Sequence, residues 1–131
     1  MRDSFLMHKR IYYHDTDCGG VVYYGKYLEY LEEARTEYFL DKGIDLRKLS
    51  SEEIWFVVSR VEINYKSPAY YQDTLTIFTE IGKLKSASME FLQEIKRDTQ
   101  LIVEAKTVLV CVDKSFKPMC IPEKMRDFLL D

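Results

Sequence analysis

Only one stretch of this 131-residue chain carries a sustained helical period, and almost everything after it alternates like strand. Over residues 23–42, Tyr24, Tyr27, Leu28, Leu31, Ala34, Tyr38 and Phe39 recur at helical spacing and form one apolar stripe. Glu29, Glu32, Glu33, Glu37 and Asp41 take much of the remaining surface, and Gly43 stands where a C-terminal cap belongs. A fold built on this chain therefore has one large helix with which to cover an apolar sheet face.

The sheet is legible in the other segments. Residues 5–13 read as a first strand, and 54–66 are rich in aromatic and β-branched types. Over 73–81, Leu75, Ile77, Thr79 and Ile81 alternate with Thr74, Thr76, Phe78 and Glu80. Over 86–97, Ala87, Met89, Phe91, Gln93 and Ile95 alternate with Ser88, Glu90, Leu92, Glu94 and Lys96. Residues 101–112 form the most apolar strand, and Pro122 opens a short helical tail to Leu130. Turns at Ser67-Pro68, Gly82, Asp98-Thr99 and Asp113-Lys114 are short, which favours antiparallel neighbours. The expectation is one α+β domain over residues 1–131, with a five-stranded antiparallel sheet wrapped around one long central helix.

Between the first strand and the helix lies the run His14-Asp15-Thr16-Asp17-Cys18-Gly19-Gly20-Val21-Val22-Tyr23-Tyr24. Two acids, a glycine turn and a helix start in that order set a carboxylate beside unpaired N–H groups and the positive end of a helix dipole. Acyl transfer needs that pair: a base or nucleophile, and a donor for the oxyanion. An acid at this place also serves as an ordinary helix cap, a role open to Asp15 as well as Asp17. Asp17 sits nearer the helix and directly before the glycines, so it is the favoured reactive carboxylate.

Composition narrows the classes. Net charge is −3, from 22 acidic and 19 basic residues, which argues against a general nucleic-acid binder. No apolar run reaches the length of a membrane span, and Met1-Arg2-Asp3-Ser4 lacks a signal-peptide core. The three cysteines, Cys18, Cys111 and Cys120, fit neither a disulfide framework nor a zinc site, so a reducing cytoplasm is expected. Cys18 adjoins the acid, but no base is paired with it by the pattern; His14 is assigned by strand alternation to the face opposite Tyr13. His8 and His14 do not form a metal-ligand set, and no metal or other cofactor is expected.

The pattern Tyr-Tyr-x-Asp-Thr-Asp-x-Gly-Gly-Val-Val-Tyr, followed by Tyr27-Leu28 and Glu33-Ala34-Arg35-Thr36-Glu37, resembles the hot-dog-fold acyl-CoA thioesterases. It is most similar to the YbgC-type, Tol–Pal-associated branch, near the 4-hydroxybenzoyl-CoA thioesterases. Phe56-Val57-Val58-Ser59-Arg60, Tyr65-x-x-Pro68-Ala69 with Asp73-x-Leu75, and Val110-Cys111-Val112-Asp113 extend the likeness over essentially the whole chain. The resemblance implies hydrolysis of acyl-CoA thioesters. It implies Asp17 as the catalytic carboxylate, the Tyr24 backbone N–H as the group polarising the thioester carbonyl, and Ser59, Lys83 and Lys85 as substrate-binding residues. The lysines would meet the phosphates of coenzyme A, which enters as substrate. It also implies a homodimer joined edge to edge through Trp55–Tyr65, or a homotetramer of two such dimers. Many YbgC-type members have histidine where this chain has Tyr24; a backbone donor survives that change, whereas proton transfer by the histidine does not. Rival expectations are a hot-dog dehydratase, disfavoured because the helix has no histidine, and a non-enzymatic acyl-binding or scaffold protein.

Overall fold

The computed structural model describes residues 4–130; Met1–Asp3, read above as lacking a leader core, lie outside the described residues. Its elements are β1 (Phe5–Arg10), a single 3-10 turn (Tyr13–Asp15), α1 (Lys26–Asp41) and α2 (Leu46–Ser51). They continue with β2 (Trp55–Tyr65), β3 (Thr74–Leu84), β4 (Ser88–Arg97), β5 (Gln100–Val112) and α3 (Glu123–Leu130). The strands form one five-stranded sheet in the order β1-β3-β4-β5-β2, antiparallel at every step. This is the hot-dog architecture expected from the sequence, with α1 laid along one face.

The alternation in β3 and β4 reads onto the sheet as anticipated. Leu75, Ile77 and Thr79 are buried, as are Met89, Phe91, Gln93 and Ile95. Because side chains alternate with period two, these residues face α1 while Thr76, Glu80, Glu90 and Glu94 face away. Fully burying one such Phe or Ile stabilises the fold by about 1.5–3 kcal/mol relative to leaving it exposed.

Two boundaries differ from expectation, and one short helix was not anticipated. The first strand stops at Arg10, because the chain turns into the 3-10 segment; Ile11 still donates its N–H to Asp73 O at 2.8 Å and accepts the Gln72 N–H at 2.9 Å. The helix begins at Lys26, since residues 23–25 form a tighter turn in which Lys26 N–H donates to Tyr23 O and Tyr27 N–H to Tyr24 O. Consequently Tyr24 and Leu28, assigned above to the buried stripe, are exposed, while Tyr30 and Arg35 are buried in their stead. The short α2, capped by Asp45 accepting from Arg47 N–H, has too few residues to show a period and was not anticipated.

The core has two apolar halves. Tyr27, Leu31, Ile77 and Val103 belong to the half under the start of α1; Phe39, Phe91, Leu109 and Met125 belong to the half under its end. Between them runs a polar belt of Thr79, Gln93 and Thr107, all buried, with Arg35 above it. Among the described residues no helix is long and apolar enough to cross a membrane.

Candidate active site

Neither acid of the Asp-Thr-Asp run caps α1. The residue at that cap is Gly25, which offers no side-chain acceptor. Asp17 instead caps its own turn, where Oδ1 accepts the Gly19 N–H at 2.9 Å. Asp15 is 2% exposed, and its Oδ2 accepts the Tyr12 N–H at 2.9 Å. The two acids thus separate by environment: Asp15 inside, Asp17 exposed to solvent.

The turn that presents Asp17 is a tight reversal. Asp17 N–H donates to Val21 O and Gly20 N–H to Asp17 O, each at 3.0 Å, and Thr16 bridges Val22. Gly20 takes φ +76°, a left-handed conformation that a side chain resists. The reversal is moored to the segment before β3: Val22 N–H donates to Ala69 O at 2.9 Å, and Tyr71 N–H to Gly20 O at 3.1 Å. It is moored to the start of α1 through Tyr23, whose N–H donates to Asp15 O at 3.0 Å. Among the described residues the Tyr24 N–H has no hydrogen-bond partner. A carboxylate-bearing turn and an uncapped helix start are therefore tied together within one hydrogen-bonded unit.

Aromatic rings wall this place. Tyr24 meets Tyr65 edge-on at 6.1 Å between centroids, Tyr65 lies 5.9 Å from Tyr27, and Tyr23 lies 4.9 Å from Tyr24. The hydroxyl of Tyr27 accepts the Ala69 N–H at 3.2 Å, and burial is the main cause that raises the Tyr27 pKa. A concavity of ≈240 Å³ opens here, lined by Val21, Tyr24, Tyr27, Tyr65 and Pro68 among others. Larger depressions, ≈460 Å³ beside β1 and ≈410 Å³ between α2 and α3, lie away from Asp17.

The other residues singled out by sequence are not gathered here within one protomer. Ser59 stands at the bulge of β2, its hydroxyl donating to Val108 O at 3.4 Å. That is ~20 Å along the strand from Tyr65 at about 3.3 Å per residue. Lys83 and Lys85 lie at the far end of β3, ~30 Å from its start beside the Asp17 turn on the same measure. They share a depression of ≈270 Å³ with Arg60 and Lys106, where Lys106 faces Glu90 at 4.0 Å and Arg60 is paired with Glu62. The turn carrying the lysines is well anchored: Arg126 of α3 donates to Lys85 O and, at 3.2 Å, to Ser86 O.

His14 belongs to the 3-10 turn rather than to a strand, so alternation does not govern it. Its ring stacks on Tyr12 at 6.1 Å, and its Nδ1 approaches Asp15 Oδ1 at 3.4 Å. Cys18 is exposed beside Asp17. Sequence reasoning missed the partnership of Tyr24 with Tyr65, which joins segments far apart in the chain. It also missed the burial of Asp15, for which the acid three residues after Tyr12 was an available turn signal.

A family model described as the thioesterase-like superfamily matches residues 12–129. An Escherichia coli (strain CFT073) acyl-CoA thioester hydrolase, YbgC, is 38% identical over 118 residues, covering 88% of each chain. The Haemophilus influenzae acyl-CoA thioesterase YbgC is 36% identical over 95% of this chain and 93% of its own. The crystal structure of a probable thioesterase from Bartonella henselae superposes with a TM-score of 0.87 at 34% identity, over 91% of this chain and 99% of that one. With its sheet order, its acid–glycine turn and these relatives in agreement, the chain belongs to the thioesterase-like superfamily of hot-dog fold, in the YbgC-type branch.

Proposed function

We propose that this protein is an enzyme that hydrolyses acyl-CoA thioesters to the free acid and coenzyme A. One observation carries the reading: the exposed carboxylate of Asp17 sits in a turn hydrogen-bonded to the uncapped start of α1, where the Tyr24 N–H lacks a partner. The thioester carbonyl oxygen accepts from Tyr24 N–H, which stabilises the negative charge that develops as the carbonyl carbon becomes tetrahedral. Asp17 acts in one of two ways. It takes a proton from a water that attacks the carbon, or it adds to the carbon itself and forms a mixed anhydride that water then cleaves. In either course the C–S bond breaks and coenzyme A leaves as a thiolate, which is then protonated. Water, a carboxylate and a donor suffice, so the reaction needs no metal or redox cofactor.

The working unit in this reading is a dimer joined through β2. Both sheet edges are open in the protomer, but they differ. β1 is short and carries His8, Lys9 and Arg10, whereas β2 is long and leaves Val58, Val61 and Tyr65 exposed. An open, long, apolar edge invites a partner strand. Pairing β2 with the β2 of a second copy about a two-fold axis reverses strand direction. The partner's far sheet end, with its Lys83 and Lys85, then comes to the side of the first copy's Tyr24 and Tyr65, and its Ser59 stands at the bulge of the joined β2. That supports binding of the coenzyme A phosphates by the second copy of the chain, and two such dimers make the tetramer.

Thiol release measured over a panel of acyl-CoAs tests the function. Release from at least one acyl-CoA, abolished in Asp17→Asn, is the expected result. Full activity of Asp17→Asn removes Asp17 from the chemistry, and absence of release from every acyl-CoA removes the function.

A further inference from the structure

Asp15 reaches both halves of the site and touches neither reacting group. Its carbonyl oxygen accepts the Tyr23 N–H at 3.0 Å, which holds the residue directly before Tyr24. Its Oδ2 accepts the Tyr12 N–H at 2.9 Å, and its own N–H donates to Tyr12 O at 3.0 Å, which closes the 3-10 turn leading to Asp17. Its Oδ1 faces Nζ of Lys26, the first residue of α1, at 3.9 Å and His14 Nδ1 at 3.4 Å. One buried residue therefore links the end of the first strand, the acid turn and the first turn of the helix.

A buried phenol lies beneath it. Tyr30 is 1% exposed, and its hydroxyl has no partner of hydrogen-bond geometry among the described residues. Burial first, and the Asp15 carboxylate next to it second, drive its pKa upward, so it faces the carboxylate in its neutral form. A buried carboxylate is retained only where polar partners surround it, and here they are a backbone N–H, an ammonium on α1 and the exposed imidazole of His14. Three segments meet on these contacts, and losing them frees each segment to move relative to the others.

We propose that Asp15 is a positioning residue for thioester hydrolysis: it sets the placement of the Asp17 turn against the Tyr24 N–H without contacting substrate. The proposal rests on the assignment of Asp17 and Tyr24 above. Misplacing reacting groups by about 1 Å is enough to lower turnover on the order of 100-fold. The loss falls on kcat, because the acyl-CoA contacts on β2 and β3 do not pass through Asp15.

Three variants are compared with wild type by steady-state kinetics, thermal melting and amide hydrogen exchange. They are Asp15→Ala, Asp15→Asn and Phe91→Leu, the last a control that loosens the distant half of the core. Asp15→Ala is expected to lower kcat roughly 20-fold or more with KM changed less than about threefold. Asp15→Asn, which still accepts from Tyr12 N–H, is expected to recover most of that loss. Amides of residues 12–26 are expected to exchange at least about tenfold faster in Asp15→Ala, with β4 and β5 unchanged. Phe91→Leu is expected to lower the melting temperature while keeping kcat. Should Asp15→Ala fail to fold, Asp15→Asn combined with Lys26→Met is read by the same three measurements. If kcat stays within twofold of wild type, or residues 12–26 exchange at the wild-type rate, or the loss merely follows stability as in Phe91→Leu, the proposal is overturned. An active wild type and an inactive Asp17→Asn beside an unimpaired Asp15→Ala sink this proposal alone. A wild type with no thioesterase activity removes the proposed function and this role together.

Discussion

Arg35, on α1, donates from Nη1 to Oε1 of Gln93, on β4, at 3.2 Å inside the core. Arg35 is 9% exposed and forms no ion pair with a carboxylate among the described residues. Burial, the larger effect, lowers its pKa, and Glu32 partly restores it. Gln93 completes the link by donating from Nε2 to Leu31 O and to Thr79 Oγ1, both at 3.0 Å. The belt that separates the two apolar halves is thus hydrogen-bonded from helix to sheet.

Gln93→Leu leaves Arg35 without its acceptor, and urea unfolding is expected to show a loss of about 2–4 kcal/mol. Adding Arg35→Met removes the stranded charge and is expected to recover most of that loss, because replacing both partners by apolar groups is far milder than removing one. A double variant as unstable as Gln93→Leu alone contradicts the coupling.

Asp17→Asn is expected to lower kcat at least about 100-fold while leaving coenzyme A binding and the melting temperature nearly unchanged. Asparagine still accepts the Gly19 N–H, so the turn is kept while the carboxylate proposed as base or nucleophile is lost. Asp15→Asn is expected to be milder. A reversal of the two effects, read by thiol release, exchanges the roles assigned to the two acids.

For assembly, sedimentation at micromolar concentration is expected to give a dimer or a dimer of dimers of the 15.6 kDa chain. Val61→Asp places a charge on the open apolar side of β2 and is expected to shift the protein toward monomer, with activity falling in parallel. A wild type that sediments as a monomer with full activity refutes the β2 interface.

Lys83→Ala combined with Lys85→Ala is expected to raise KM for acyl-CoA, leave kcat little changed and flatten the salt dependence of kcat/KM. A small acyl thioester without the nucleotide is expected to be cleaved equally by variant and wild type. Equal losses on that truncated substrate would mean that the lysines support the turn they occupy and do not meet phosphate.

Alkaline stability gives a further measurement. Burial, with Asp41 and Glu80 nearby, pushes the Tyr38 pKa from 10.0 up to about 12. The folded state then holds a proton that the unfolded chain releases above pH ~10, so stability falls as pH rises from there through about 12. Tyr27 and Tyr30 are shifted the same way. Denaturation midpoints are expected to be flat from pH 8 to about 9.5 and to drop beyond, less steeply in Tyr38→Phe. An unchanged slope in that variant assigns the drop to other groups.

The local pattern by itself determined which side of β3 and of β4 faces inward. Leu75, Ile77 and Thr79, and Met89, Phe91, Gln93 and Ile95, are buried as their alternation requires, because a strand exposes successive side chains to opposite faces whatever its neighbours are. The glycine turn after Asp17 and the tail helix after Pro122 are equally local matters of backbone freedom. Strand order was not legible, since alternation says nothing about which strand lies alongside. Only the folded chain puts β2 at the edge beside β5 and sets Tyr65 against Tyr24. Tertiary structure also gave two acids of the same chemistry, one residue apart, different surroundings, burying Asp15 beside Lys26 and leaving Asp17 in solvent. The same holds for Arg35, a cation on a helix full of charges whose placement no local pattern gave. It is buried because Gln93, 58 positions along the chain, supplies the acceptor that makes its burial tolerable.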